Sequence, residues 1–298
     1  MPDMDTGGQE EARQVTMENW KEYYAAQSIV TAPGRYEYLY KDLPDDISSL
    51  CRIIQGFVLH MHWVQAYGQN PSDERKTEVR IRQADRFLAR ALELHEAPLT
   101  EVRPHEKKVI GTCRDYAALL VSILRHKGIP ARMRVGFATY FTPGRYEDHY
   151  LCQYWHEKEN RWVVVDAQLD ELMINALKVT FNPCDVPDGL FLPGGKAWQL
   201  CRQGKTDPEY FGIFNIKGMW FVGCDMVFDA MSLNKIESQP WDIWPMMPEY
   251  QQTVYPDEYL AAMDHIAELT SGLEPGFAEV RLLYQTQEKL QPPKNWKP

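Results

Sequence analysis

Gly111-Thr112-Cys113-Arg114-Asp115-Tyr116-Ala117-Ala118-Leu119-Leu120 is the stretch on which the reading of this chain turns. A helix opens at Cys113 and runs through apolar residues to Lys127-Gly128-Ile129-Pro130, where a Gly just past the end and then a Pro stop it. Three strand signals follow, at 131–141, 148–157 and 161–169. Thr142-Pro143-Gly144-Arg145 and the residues near Lys158-Glu159-Asn160 supply the turns between them.

Those elements carry three chemically matched residues. Cys113 starts the helix, His149 begins Asp148-His149-Tyr150-Leu151-Cys152-Gln153-Tyr154-Trp155, and Asp166 ends Arg161-Trp162-Val163-Val164-Val165-Asp166. A thiol, an imidazole and a carboxylate are the parts of an activated sulfur nucleophile. Unpaired N–H groups and the dipole at a helix start favour a thiolate and can also hold an oxyanion. An Asp closing a Val-rich strand wants a partner, because a buried carboxylate is costly alone. Alternate strand residues share a face, and in a hairpin with an even-length turn the numbers of facing residues sum to an odd value. Here 149 + 166 = 315, which puts His149 and Asp166 on one face, with the Cys113 helix expected across it.

Upstream, residues 46–67 read as one helix, apolar nearly all round and therefore buried. Gln55 on it is a candidate oxyanion donor, with Gln65 and Trp63 as alternatives. A second, amphipathic helix is expected over 74–95. His60 and His62 suggest a metal, but i,i+2 on a helix would point them apart, so no metal site is expected. Beyond about 185, prolines and glycines break every periodic run up to Gly223, and amphipathic helices near 257–270 and 276–290 close the chain. The expected plan is a flexible tail over 1–15, a catalytic core over 16–185 and a C-terminal extension over 186–298 packed on it.

The chain has 298 residues, 44% of them hydrophobic, enough for a proper core. A net charge of −10 argues against general affinity for nucleic-acid backbones or anionic membranes. No apolar run approaches the ~20 residues of a membrane span. The polar start, Met1 to Arg13, does not read as a secretory signal. Six cysteines without a CxxC pair read as free thiols in a reducing compartment, so the protein is expected to be cytoplasmic.

Taken together, Gly111–Ala117, Leu124-Arg125-His126-Lys127-Gly128-Ile129-Pro130-Ala131-Arg132, Val135-Gly136, Asp148-His149, Tyr154-Trp155 and Trp162–Asp166 resemble the transglutaminase-like superfamily. The resemblance spans roughly 109–170 and is specific in combination, because residue types, order and element types agree. It implies an α+β, papain-like core with the nucleophile-bearing helix packed on an antiparallel sheet, plus a mostly helical C-terminal extension. It implies Cys113 as nucleophile, His149 as general base and acid, and Asp166 as the residue that orients it. The implied reaction is acyl transfer from an amide or ester, on a peptide or a small molecule, through a thioester, to water or an amine, with no cofactor. The metal-binding cysteines of peptide N-glycanases are missing, and nothing reads as the β-sandwich domains that flank large animal transglutaminases.

Two rivals stay open. Arylamine N-acetyltransferases also use Cys, His and Asp in this order. The intervals here, 149 − 113 = 36 and 166 − 149 = 17, fit them, but their Arg-Gly-Gly run before the Cys is absent. A binding module that keeps the fold without activity is the other. Arg114 beside the nucleophile, Tyr146 at the end of the loop before His149, and Trp220 in the Trp-rich segment with Trp241 and Trp244 are candidate substrate contacts, each against an ordinary structural role.

Overall fold

The computed structural model describes residues 19–294, 296 and 297; the expected tail at 1–15 lies outside them. The helices are α1 (Trp20–Ala25), α2 (Ile47–Phe57), α3 (Asp73–Lys76), α4 (Ala84–Leu94), α5 (Cys113–His126), α6 (Glu171–Leu177), α7 (Gly194–Arg202), α8 (Met219–Leu233), α9 (Asp257–Thr270) and α10 (Phe277–Thr286). The strands are β1 (Val58–His60), β2 (Val109–Gly111), β3 (Ala131–Ala138), β4 (Tyr146–His156), β5 (Arg161–Val165), β6 (Phe191–Pro193), β7 (Phe211–Ile213) and β8 (Ile216–Lys217).

β4 organises the main sheet. It pairs antiparallel with β3 and β5 and, at Tyr146 and Glu147, parallel with β7. β6 adds to the far side of β3, and β8 to β7. Strands on both sides of residue 185 therefore share one sheet. Gly136 makes the β3–β6 pairing possible: a Cβ there would fall 2.1 Å from the carbonyl oxygen of Leu192. Gly194 does the same for helix packing, since its Cβ would lie 2.5 Å from the Cα of Met226 on α8.

α5 is buried from Arg114 to Arg125. Its apolar residues join Tyr150, Cys152, Tyr154, Val163 and Val165 in one core. The opposite face of β4 and β5, with Leu151 and Val164, packs instead on Val186 and Phe191. The body of α5 thus covers the face opposite to the one expected. α8 is apolar nearly all round and buried from Val222 to Leu233 apart from Cys224. Its Asp229 binds Arg134 of β3 through both carboxylate oxygens, at 2.9 Å each.

The single helix expected over 46–67 ends at Phe57. Val58–His60 pairs in parallel with Val109–Gly111. An all-apolar run does not distinguish a buried helix from a buried strand, and here pairing with β2 decides it. His60 and His62 consequently leave the helix, and their rings lie 5.6 Å apart. The helix expected over 74–95 is interrupted between α3 and α4 by a 3₁₀ turn, Thr77–Arg80. Its buried Glu78 accepts from Arg75 at 2.6 Å, from Arg90 at 2.9 Å and from the N–H of Ile110 at 2.8 Å.

Candidate active site

Cys113 is the first residue of α5. The helix starts there because the carboxylate of Asp115 accepts the N–H of Thr112 at 2.8 Å, one half of a capping box. β2 leads straight into this turn, and Tyr116 ties it to β1 by donating to the carbonyl of Val58 at 3.1 Å. The backbone N–H groups of Tyr150 and Arg114 point toward the sulfur and favour its thiolate. Tyr150 is the residue after His149, so the sulfur sits beside that part of β4. Burial is nevertheless the largest influence, followed by the negative charge of Asp148, and the thiol is pushed well above its ordinary value. The expected resting thiolate is therefore corrected: the helix start is outweighed by desolvation.

His149 and Asp166 meet. Nε2 of His149 lies 2.9 Å from Oδ2 of Asp166, and both residues are buried. The turn between β4 and β5, residues 157–160, has an even length, and Cys152 faces Val165, so facing numbers sum to 152 + 165 = 317. That is odd, as 315 is, so the two side chains emerge on one face, one step diagonal. Asp166 is held on all sides. Its Oδ2 also accepts the Tyr140 hydroxyl at 2.7 Å, and its Oδ1 accepts the N–H of Gln168 at 3.0 Å. Its own N–H donates to the carbonyl of Pro183 at 2.8 Å. The rings of Phe141 and Tyr140 stand edge-on to the imidazole, at 4.9 and 6.1 Å. With Nε2 committed to Asp166, Nδ1 is the nitrogen left to accept a proton.

The remaining predicted residues go elsewhere. Gln55 donates to the carbonyls of Ala167 at 3.0 Å and Leu169 at 3.3 Å. Its amide is committed to the backbone after Asp166, so the oxyanion assignment is replaced by a bracing role. Arg114 is buried, donating to Asp115 at 3.1 Å and to the carbonyl of Glu237 at 2.9 Å, which corrects its reading as a substrate contact. Tyr146 stacks on Phe211, with ring centroids 4.3 Å apart. Trp220 opens α8 with its ring edge-on to Tyr250. Trp244 is buried and Trp241 is half exposed.

Three participants in the site were missed. Tyr140 bonds Asp166, and only its place in the loop before His149 hinted at this. His60 is buried beside Tyr116, and burial, then the charges of His62 and His149, pushes it down to about 3. It is neutral at physiological pH. Asp225 of α8 faces Asp148 so closely that the two side chains hydrogen-bond, which requires a proton between them. Among the described residues, no donor reaches Asp148 Oδ1 or Asp225 Oδ2. Burial pushes both up, Asp148 to about 6. Folding thus raises Asp148 from an ordinary 3.8 to about 6. The sign is opposite to that of a salt-bridged Asp: the folded chain holds this proton more tightly and loses stability as pH rises through that window.

Asp148→Asn removes a carboxylate that opposes ionisation of Cys113. The alkylation curve of Cys113 is expected to move to lower pH by roughly one unit, the scale of a nearby like charge. The check is the rate of iodoacetamide labelling of the Cys113 peptide from acid to alkaline pH. An unmoved curve would show that Asp148 does not act on the sulfur.

Among the described residues, no group of three or more His, Cys, Asp or Glu side chains is placed to hold a metal ion. No helix among them is long and apolar enough to cross a membrane.

Residues 96–167 match the family profile of the transglutaminase-like superfamily. That segment contains Cys113, His149 and Asp166. The solved structure of a candidate cysteine protease from Cytophaga hutchinsonii is similar at 16% identity and a TM-score of 0.32. The alignment covers 52% of this chain and 44% of that one, so this chain spans under half of that protein's length. No curated protein matches the chain. The part of the chain that matches the transglutaminase-like profile, residues 96–167, lies within a mixed α+β fold that has a helical C-terminal portion.

Proposed function

We propose that this chain cleaves or transfers an acyl group at an amide bond through a thioester on Cys113. The observation that carries this reading is the buried contact between His149 Nε2 and Asp166, made beside the strand position that Cys113 faces. A carboxylate that accepts from Nε2–H fixes the tautomer in which Nδ1 is a base. The half-buried thiol, pushed well above its ordinary value, makes that base necessary, because little thiolate exists without it.

Nδ1 takes the Cys113 proton as sulfur attacks the amide carbon. The new C–S bond forms and the carbonyl π pair moves to oxygen. Backbone N–H groups at the start of α5, the helix that Cys113 opens, serve as donors for that oxyanion. Collapse breaks the C–N bond, and imidazolium returns its proton to the leaving amine. Water or a second amine then attacks the thioester, gives its proton to His149, and releases the acyl product and the thiol. Six free cysteines support a reducing, cytoplasmic setting.

The test is direct trapping. The protein is mixed with activated esters, peptide amides and acyl-CoA donors, quenched in acid and digested. A hydroxylamine-labile adduct confined to the Cys113 peptide is expected with at least one amide or ester donor. Ready alkylation of Cys113 with no acylation by any donor would defeat the proposal, and acylation by acyl-CoA alone would favour the acetyltransferase reading.

A further inference from the structure

Cys51 lies on α2, and Cys184 follows Pro183 in the segment between α6 and β6. They are 184 − 51 = 133 residues apart, yet both face one cavity, near enough that each acts on the other's ionisation. Both line a cavity of about 260 Å³, with Ser48, Arg52, Gln55 and Asp166 also in its wall. Cys51 is buried and Cys184 is partly exposed to the cavity.

The surroundings make the two thiols unequal. Ser48 and Arg52 share the cavity wall with Cys184, and Arg52 donates to Ser48 Oγ at 2.6 Å. Cys51, then Ser48 and Arg52, pull Cys184 down to about 7 against its partial burial. Cys184, together with burial, pushes Cys51 well up. One sulfur is thus a partly exposed nucleophile, and the other is a protonated neighbour on the same cavity wall.

We propose that Cys51 and Cys184 form an oxidation site, a dithiol that closes to a disulfide when a peroxide reaches the cavity. Cys184 thiolate attacks one peroxide oxygen; the O–O bond breaks, hydroxide leaves and takes up a proton as water. Cys184 is then a sulfenic acid. The Cys51 sulfur attacks it, the S–O bond breaks, and the Cys51 proton leaves with the hydroxyl as a second water. Two thiols are oxidised by two electrons, and one peroxide is reduced to two waters.

The location gives the bond a structural consequence. Pro183, one residue before Cys184, accepts the N–H of Asp166. Gln55, one helical turn after Cys51, holds the carbonyls of Ala167 and Leu169. A disulfide would link the two supports of the Asp166 segment. The inference goes beyond the proposed activity and does not depend on it.

The reduced full chain is exposed to stoichiometric hydrogen peroxide at neutral pH, blocked with iodoacetamide and digested without reductant. The expected product is one pair of peptides joined through Cys51 and Cys184, two hydrogens lighter than their sum and separated by dithiothreitol. The link should form equally in Cys113→Ser, and Cys184→Ser should leave Cys51 as an alkylated thiol. The wild-type map needs no variant to fold. If that joined pair is absent, the proposal is overturned, whether both thiols stay reduced, Cys184 runs on to the sulfinic acid, or the link goes to Cys113.

Discussion

Asp166→Asn is expected to lower turnover by about 10⁴-fold while leaving the fold intact. The size follows from a proton, not from lost packing. Asp166 Oδ2 accepts from two donors, the Tyr140 hydroxyl and His149 Nε2–H, and Oδ1 accepts the N–H of Gln168. Asn has one acceptor oxygen and one donor NH₂ in the same shape. The Gln168 N–H and the Tyr140 hydroxyl both need an acceptor. If the oxygen serves either, the NH₂ is turned toward the imidazole for much of the time. Nε2 must then be bare, the ring proton moves to Nδ1, and the base that should deprotonate Cys113 is already occupied. With the thiol pushed up by burial, no reserve of thiolate compensates. Tyr140→Phe keeps the carboxylate and the tautomer and removes one hydrogen bond, so its loss should be roughly tenfold. The measurement is kcat with whichever donor acylates Cys113, beside near-UV circular dichroism of each variant. An Asp166→Asn enzyme within tenfold of wild type would mean that Asp166 does not set the tautomer.

Much of this site was legible because it rests on short-range rules. The helix start at Cys113 is written in Thr112 and Asp115, three residues apart. The meeting of His149 and Asp166 follows from the exact period of two in a strand, and any even-length turn preserves it. Observed facing pairs sum to 317, two more than the 315 of His149 with Asp166, and parity is unaffected.

What was not legible depends on partners far along the chain. Residues 46–67 divide into α2 and β1 because β2, some fifty residues later, offers a parallel partner, and an all-apolar run holds no sign of that. Gln55 lies near Asp166, but the sequence does not say whether an amide faces a substrate or a carbonyl. Asp148 looks like an ordinary strand residue until Asp225, 225 − 148 = 77 positions on, faces it. The strands β6, β7 and β8 are two or three residues long and are defined by backbone pairing, too short for any side-chain pattern to show.

The same long-range pairing gives the largest expected loss of stability. Arg134→Met should cost about 3–5 kcal/mol, the usual consequence of removing one partner from a buried ion pair. Arg134 and Asp229 are both fully buried. Nε and Nη2 of the arginine reach the two carboxylate oxygens at 2.9 Å, while Nη1 donates to the carbonyl of Gly272 at 3.0 Å. Nη2 also donates to the carbonyl of Thr270 at 3.1 Å. Methionine matches the length of the stem but leaves those carbonyls unpaired and the carboxylate buried, with only the N–H of Val135 left to donate to it. The pair joins β3 to α8 and, through the carbonyl of Thr270, to the end of α9, so its loss weakens the packing of these helices on the sheet that carries His149. Arg134→Met with Asp229→Leu should regain most of the loss, because the stranded charge, not the absent attraction, dominates the penalty. Urea unfolding of the single and double variants at neutral pH decides it. A single variant within about 1 kcal/mol of wild type would place this pair with exposed ion pairs of little worth. A double variant no more stable than the single one would mean that the arginine's bonds to the carbonyls at 270 and 272, and not the unpaired carboxylate, account for the loss.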